Sequence, residues 1–206
     1  RYRRPLLLDA VSSFAAEDIR FDDWNLLALA ATANKCLHGV PGIAFVIARE
    51  QALQEDPGTT GSLYLDVRNY YRQQSKDGFS PFTPAVQSAF ALDVALDEFF
   101  LAGGWQKRRS RYRQIGAEIG AVLATCGVEP LLRDGEGSAA MTAYRLPTGT
   151  SYAALHAALK REGFIIYAGQ GPLSEQVFRI AHMGDIRDAD VQRLTSALRG
   201  FLKRAA

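Results

Sequence analysis

The sequence predicts an α/β protein built in two parts: strands alternating with helices or turns, then helices on one face of a mostly antiparallel sheet. Apolar runs of strand length recur through the first hundred residues with turn signals between them. The second hundred alternates amphipathic stretches with short strand-like ones, the pattern of a small α+β layer. Between the two styles stands the tandem glycine Gly103-Gly104, dividing the chain into residues 1–103 and 104–206. A length of 206 residues at 48% hydrophobic composition supplies a core for one large domain or two small ones.

Taken in order, "PLLLD" (5–9) is a short β-type run ending on an acid, "LLALAAT" (26–32) a second, and "IAFVIA" (43–48) a third with the turn "VPG" before it. Near-continuous apolar strands predict a sheet buried on both faces. The polar stretch from "QEDPGTTGS" to "QQSKDG" reads as exposed loop around "LYLDVRNYY". Thr83-Pro84 reads as N-cap and first position of a helix over "AVQSAFALDVALDEFFLA" that stops at Gly103-Gly104. A long amphipathic helix over about 105–126 ends on Gly127. Then follow "SAAMTAYRL" as a strand, "SYAALHAALKREG" as a helix, "FIIYAG" and "QVFRIAH" as strands, and "DADVQRLTSALRGFLKR" as the closing helix. No internal repeat and no low-complexity tract interrupts this order. A doubly wound domain needs more strands than the first part holds, so the sequence reads as the back portion of something larger.

Several classes of function fall away. Twenty-four Lys+Arg against 22 Asp+Glu leave a net charge of +2, far from the excess of a dedicated nucleic-acid binder. The basic runs "RYRR" (1–4) and "KRRSRYR" (107–113) are local, and the second reads as a solvated helix face. Two cysteines, Cys36 and Cys126, form neither a disulfide framework nor a zinc motif, and no metal is expected. A reducing, cytoplasmic compartment fits. No apolar run approaches the roughly 18 residues of a membrane helix, and "RYRRPLLLDA" runs into an acid instead of a cleavage site.

The residues that carry chemistry begin with Lys35, a flexible cation inside the small-residue turn "ATANKCLHGVPG" (31–42). Two readings stand on spacing alone. Its stem can lie along the sheet while the ammonium reaches water; alternatively, an apolar site lowers its pKa and leaves a nucleophilic amine, the condition for bonding a carbonyl carbon. Asp9, at the end of a strand expected to be buried, stands where open α/β sheets put ligand-binding groups, although it also reads as a cap for the next turn. A buried carboxylate needs a partner. If that partner is a protonated pyridine nitrogen, Asp9 and Lys35 together describe pyridoxal phosphate, the lysine on its aldehyde carbon and the acid on its ring.

Here the sequence resembles a known family. "LLLDAVSSF" followed by "ATANKCLHGVPGIAFVIARE" is similar to the cofactor segment of class V (fold type I) pyridoxal-phosphate aminotransferases, and within them to the branch acting on 2-aminoethylphosphonate and pyruvate. The run from Asn34 to Gly42 is the distinctive element; alanine:glyoxylate enzymes resemble it less. The likeness continues through "PFTPAVQ" (81–87), "GFIIYAG" (163–169) and "VFRIAHMGD" (177–185), so it spans essentially the whole chain.

The resemblance implies that residues 1–103 are the C-terminal part of a large cofactor-binding α/β domain and 104–206 a small α+β C-terminal domain. It implies a homodimer with shared active sites and amino transfer from 2-aminoethylphosphonate to pyruvate. Lys35 would hold the cofactor and shuttle the proton, and Asp9 would pair with its ring nitrogen. Thr83 would reach the cofactor phosphate of the neighbouring subunit, and Arg179 would grip the substrate's anion. Arg179 also makes chemical sense alone: a planar fork in the otherwise apolar "VFRIA" suits carboxylate or phosphonate, the competing reading being an ion pair at a sheet edge. Two further readings remain, an alanine or serine donor with glyoxylate or pyruvate, and a non-catalytic domain that keeps the fold.

The sequence also departs from the family. His38 stands where close relatives often carry Gln and is unassigned, as is His182; Ala181 stands where Gly is usual. Cys36 reads as a small buried hydrophobe, and residues 169–171 as an ordinary loop because no helix start follows directly. The family's phosphate cradle and ring-stacking aromatic residue have no counterpart in residues 1–8, so the chain alone is expected to hold the cofactor poorly.

Overall fold

The computed structural model describes residues 4–54 and 61–205; most of the "RYRR" run and residues 55–60 of the polar stretch lie outside the described residues. The chain divides into two compact units, the first of Arg1–Phe14 and Asp18–Leu101, the second of Ala15–Glu17 and Ala102–Ala206.

In the first unit, strands β1 (Leu6–Asp9), β2 (Leu26–Thr32) and β3 (Ala44–Ala48) form a sheet in the order β1-β2-β3. β1 runs parallel to β2, with Asp9 beside Ala30, and β3 runs antiparallel to it, with Thr32 beside Ala44. Packing is one-sided: Ala10, Leu29 and Ala31 are buried with Leu8, Phe14, Ile19, Phe21 and Phe45 against them, and Phe14 meets Phe45 edge-on at 5.2 Å. The expectation of a sheet buried on both faces is therefore corrected. On the other face Leu7 and Val46 are exposed among the described residues, because an apolar run states what its residues tolerate and not which neighbour covers them.

The loop expected around "LYLDVRNYY" is also corrected. After a short helix α1 (Glu50–Gln54), the last five residues of this stretch, 67–71, form the first half of α2 (Val67–Asp77). The Asp66 carboxylate accepts from the Arg68 N–H at 3.1 Å, and Gly78 closes the other end at φ 80° with its N–H on the Gln74 carbonyl. Helix α3 (Val86–Leu101) begins later than Thr83. Its first main-chain bond runs from Ala89 N–H to the Ala85 carbonyl, which puts Ala85 at the cap and overturns the N-cap reading of Thr83. A residue before proline is disfavoured in the helix, and a tight turn follows, the Val86 N–H donating to the Pro84 carbonyl at 3.0 Å.

In the second unit, β4 (Met141–Arg145), β5 (Tyr167–Ala168) and β6 (Val177–Ala181) form an antiparallel sheet in the order β4-β6-β5. Helices α4 (Gly104–Ala124), α5 (Tyr152–Arg161) and α6 (Asp188–Ala205) pack on one of its faces. The core joins Ile115, Ile119 and Leu123 of α4, Leu155 and Leu159 of α5, and Val191, Leu194, Leu198 and Leu202 of α6 to Tyr144, Phe178 and Ile180. α5 starts on Ser151, whose hydroxyl accepts from the Ala154 N–H at 3.2 Å. Of the strand expected over 164–169 only two residues pair, and residues 171–173 form a single 3-10 turn where an ordinary loop was expected. Glu17 belongs to this unit through its side chain, which accepts from Ala139 N–H (2.7 Å), Ser138 Oγ (3.0 Å) and Arg109 Nε (3.2 Å).

Candidate active site

β1 and β2 are parallel neighbours, so their C-terminal ends lie at the same edge of the first sheet. Asp9 closes β1, and Lys35 sits in the turn that leaves β2. That turn is closed on itself. The Gly39 N–H donates to the Ala33 carbonyl at 2.8 Å, an approach so close that a Cβ on Gly39 would lie 3.0 Å from that oxygen. Inside the closure Cys36 and Leu37 are buried, while Lys35 is half-buried. The Cys36 thiol donates to the Ser12 carbonyl at 3.4 Å, fastening the Lys35 turn to the segment that follows Asp9. Cys36 is thus the small buried residue expected of it, with a tether added.

Asp9 departs from expectation in one respect. It is exposed, and its Oδ1 accepts from the Val11 N–H at 3.0 Å. The turn-capping reading holds, and the premise of a buried carboxylate does not, because β1 is largely uncovered. One carboxylate oxygen remains outside this bond.

Thr83 is exposed just ahead of α3. α3 packs by its first turn on the link between β2 and β3: Ser88 Oγ donates to the Pro41 carbonyl at 3.2 Å. A Cβ on Gly42, whose φ is 131°, would fall 2.4 Å from that hydroxyl oxygen. Since Thr32 pairs with Ala44 at the C-terminal end of β2, the approach to α3 lies at the same sheet end as Asp9 and Lys35. Asp9 and Lys35 stand at this sheet end, and Thr83 lies on the segment leading into α3.

Arg179 stands in the second unit, on β6, the central strand and not an edge. Its neighbours Phe178 and Ile180 turn into the helical core, so Arg179 faces the other way. Its Nε donates to the Ala168 carbonyl at 2.7 Å. No carboxylate of the described residues pairs with it, which removes the ion-pair reading and leaves the terminal fork aimed by one fixed bond. His182, one residue past β6, is buried; its Nδ1 is 3.0 Å from the Ala139 carbonyl and its Nε2 has no partner among the described residues. Burial holds this imidazole below its usual pKa, partly offset by the bond to Ala139. Sequence reasoning missed Glu17, whose partners lie far along the chain. Among the described residues no group of three or more His, Cys, Asp or Glu side chains is placed to hold a metal ion, and no helix is long and apolar enough to cross a membrane.

A strand-end carboxylate, a lysine in a tethered turn and an aimed arginine invite comparison with known proteins. No family model matches the chain. It is 36% identical over 201 residues to the 2-aminoethylphosphonate–pyruvate transaminase of Klebsiella pneumoniae, covering 96% of this chain and 54% of that protein. It is 35% identical to the enzyme of the same name from Salmonella agona, covering 97% of this chain and 55% of the other. Among solved structures, pyridoxamine-pyruvate aminotransferase from Mesorhizobium loti superposes with a TM-score of 0.86 at 28% identity, covering 97% of this chain and 52% of that one. An aspartate aminotransferase from Thermus thermophilus superposes with a TM-score of 0.84 at 27% identity, over 97% and 56%. The chain has the fold of the matching half of fold type I aminotransferases. It spans about half the length of the curated relatives it matches. The α/β character of the chain, strands and helices in both units, agrees with the fold class read from the sequence.

Proposed function

We propose that this chain carries the lysine, the ring-pairing acid and the substrate arginine of a pyridoxal-phosphate aminotransferase. The enzyme moves the amino group of 2-aminoethylphosphonate to pyruvate, giving phosphonoacetaldehyde and L-alanine. The observation that carries the reading is the placement of Asp9 and Lys35 at the C-terminal ends of adjacent parallel strands, on turns tethered by Cys36. A half-buried lysine and an exposed carboxylate at the C-terminal ends of adjacent parallel strands are the groups that an aromatic aldehyde with a basic ring nitrogen calls for, an amine for the aldehyde carbon and an acceptor for the ring N–H, so the residues present fit the cofactor. The similarity to transaminases named for these two substrates supports the choice of donor and acceptor.

When bound, the cofactor supplies an electron sink for the carbon that gives up its amino group. The Asp9 carboxylate keeps the ring nitrogen protonated. Lys35 Nζ would hold the cofactor by its aldehyde carbon, and the lysine amine would be the group placed to accept and return the proton of the donor's carbon. Arg179, with Nε held on Ala168, offers its terminal N–H groups in turn to the phosphonate of the donor and the carboxylate of the acceptor. Thr83, exposed and outside any helix, supplies a hydroxyl to the cofactor phosphate of a neighbouring subunit, which makes the working unit a homodimer. The setting is the cytoplasm.

Borohydride added with pyridoxal phosphate to the intact protein should fix a stable adduct on Lys35, located by peptide mass. The Lys35→Ala variant should give none. An adduct elsewhere, or none in the unaltered protein, removes the cofactor reading. Loss of the bound cofactor's absorbance on adding 2-aminoethylphosphonate, but not serine, selects the donor; the reverse pattern assigns the enzyme to another amino acid.

A further inference from the structure

The face of the second sheet that turns away from the helices carries a second arginine. Arg145 is paired with Val177 across β4 and β6, and Ala143 with Arg179. Directly paired residues share a face and side chains alternate along a strand, so Arg145, Val177 and Arg179 point the same way. Tyr144, Phe178 and Ile180 point into the core. Arg145 and Arg179 are diagonal neighbours, a relation that separates backbones by about 7–8 Å and lies within reach of long side chains.

Neither guanidinium meets a carboxylate within ion-pair distance among the described residues. Arg145 is exposed, and its main-chain N–H donates to the Glu129 carbonyl at 2.9 Å. The Glu129 carboxylate neutralises neither arginine, since it enters no ion pair. Two like charges on one face repel, and an anion with two negative charges relieves that repulsion better than an anion with one. A phosphonate near neutral pH carries between one and two negative charges on three oxygens, and a carboxylate carries one charge on two.

We propose that Arg145 is a specificity-determining residue, binding the additional charge and oxygen of a phosphonate that Arg179 alone does not distinguish from a carboxylate. This rests on the reading of Arg179 as the substrate arginine. Arg179 then serves both half-reactions, and Arg145 serves the donor's only.

Calorimetric titration of the intact protein with ethylphosphonate and with propionate, matched probes of the two anions, tests this. Arg145→Gln should weaken ethylphosphonate about tenfold, the scale of one charge-assisted contact, and leave propionate within about twofold. Arg145→Lys, which keeps the charge, should retain most of the ethylphosphonate affinity. Arg179→Gln should weaken both. The proposal is overturned if Arg145→Gln alters both probes equally or neither, while Arg179→Gln still weakens both. If Arg179→Gln weakens neither, the reading of Arg179 has failed, and the role of Arg145 falls with it.

Discussion

His182 shows how much a single buried group decides. Its ring sits so close to α4 that a Cβ on Gly116 would lie 2.7 Å from Cε1, and its one ring bond goes to the Ala139 carbonyl. A protonated ring there would place a charge with no acceptor for its Nε2 among the described residues. The folded pKa is therefore lowered by burial. As pH falls through about 6.5, the ordinary value, the unfolded chain takes up the proton and the folded one does not. The stability contributed is complete above that pH and is lost progressively below it, down to the folded pKa. Urea midpoints of the intact protein should fall between pH 7.5 and pH 5.5, and His182→Gln should flatten that dependence. At pH 7.5 the variant should be less stable by about 1–3 kcal/mol through the lost bond to Ala139. An unchanged slope in the variant would place its origin elsewhere. The sequence showed a histidine after a strand and no more, because the contact that matters comes from a glycine on another element.

At the scale of elements, α2 illustrates what local pattern conveys. Its residues are mostly polar and none of it is buried, so no apolar stripe announced it. Its signals were the flanking Asp66 and Gly78, the cap types for the two ends of a helix. Asp66→Ala should cost about 1 kcal/mol in urea unfolding, with faster hydrogen exchange at Arg68, whose N–H the carboxylate accepts. Equal exchange in the two proteins would show that the cap contributes nothing. Thr83 erred the other way: Thr-Pro is a proper helix start, but the helix begins only after Ala85, and its first turn is fixed by Ser88 on Pro41. That bond joins residues far apart in sequence, and no window around Thr83 contains it. The strands over Leu26–Thr32, Ala44–Ala48 and Val177–Ala181 were legible because apolar runs of that length between turns have few other solutions.

For the whole molecule, the division beside Gly103-Gly104 was legible as a change of style, and the structure sets it between Leu101 and Ala102. The excursion of Ala15–Glu17 into the second unit was not. Its cause is a carboxylate whose partners Arg109 and Ala139 come 92 and 122 residues later. Removing three donors' shared acceptor leaves them to find water, at about 1–3 kcal/mol for each donor left unsatisfied. Glu17→Ala should therefore lower the stability of the intact protein and speed hydrogen exchange at Ala139, whereas an unaltered exchange rate there would show that water replaces the carboxylate without loss. The candidate site was legible as residue types, Lys35 beside an acid with an arginine downstream. Exposure of Asp9 and the free fork of Arg179 required the strands to be in place.

The closed turn that carries Lys35 bears on how this chain can diverge. Loops ordinarily drift in length between homologues. This one is shut by the bond from Gly39 to Ala33 and fastened at Cys36 to Ser12, so an inserted or deleted residue would swing the lysine away from the neighbouring strand end. A residue added or removed between Ala33 and Gly39 would thus break the closing bond and the lysine's placement together.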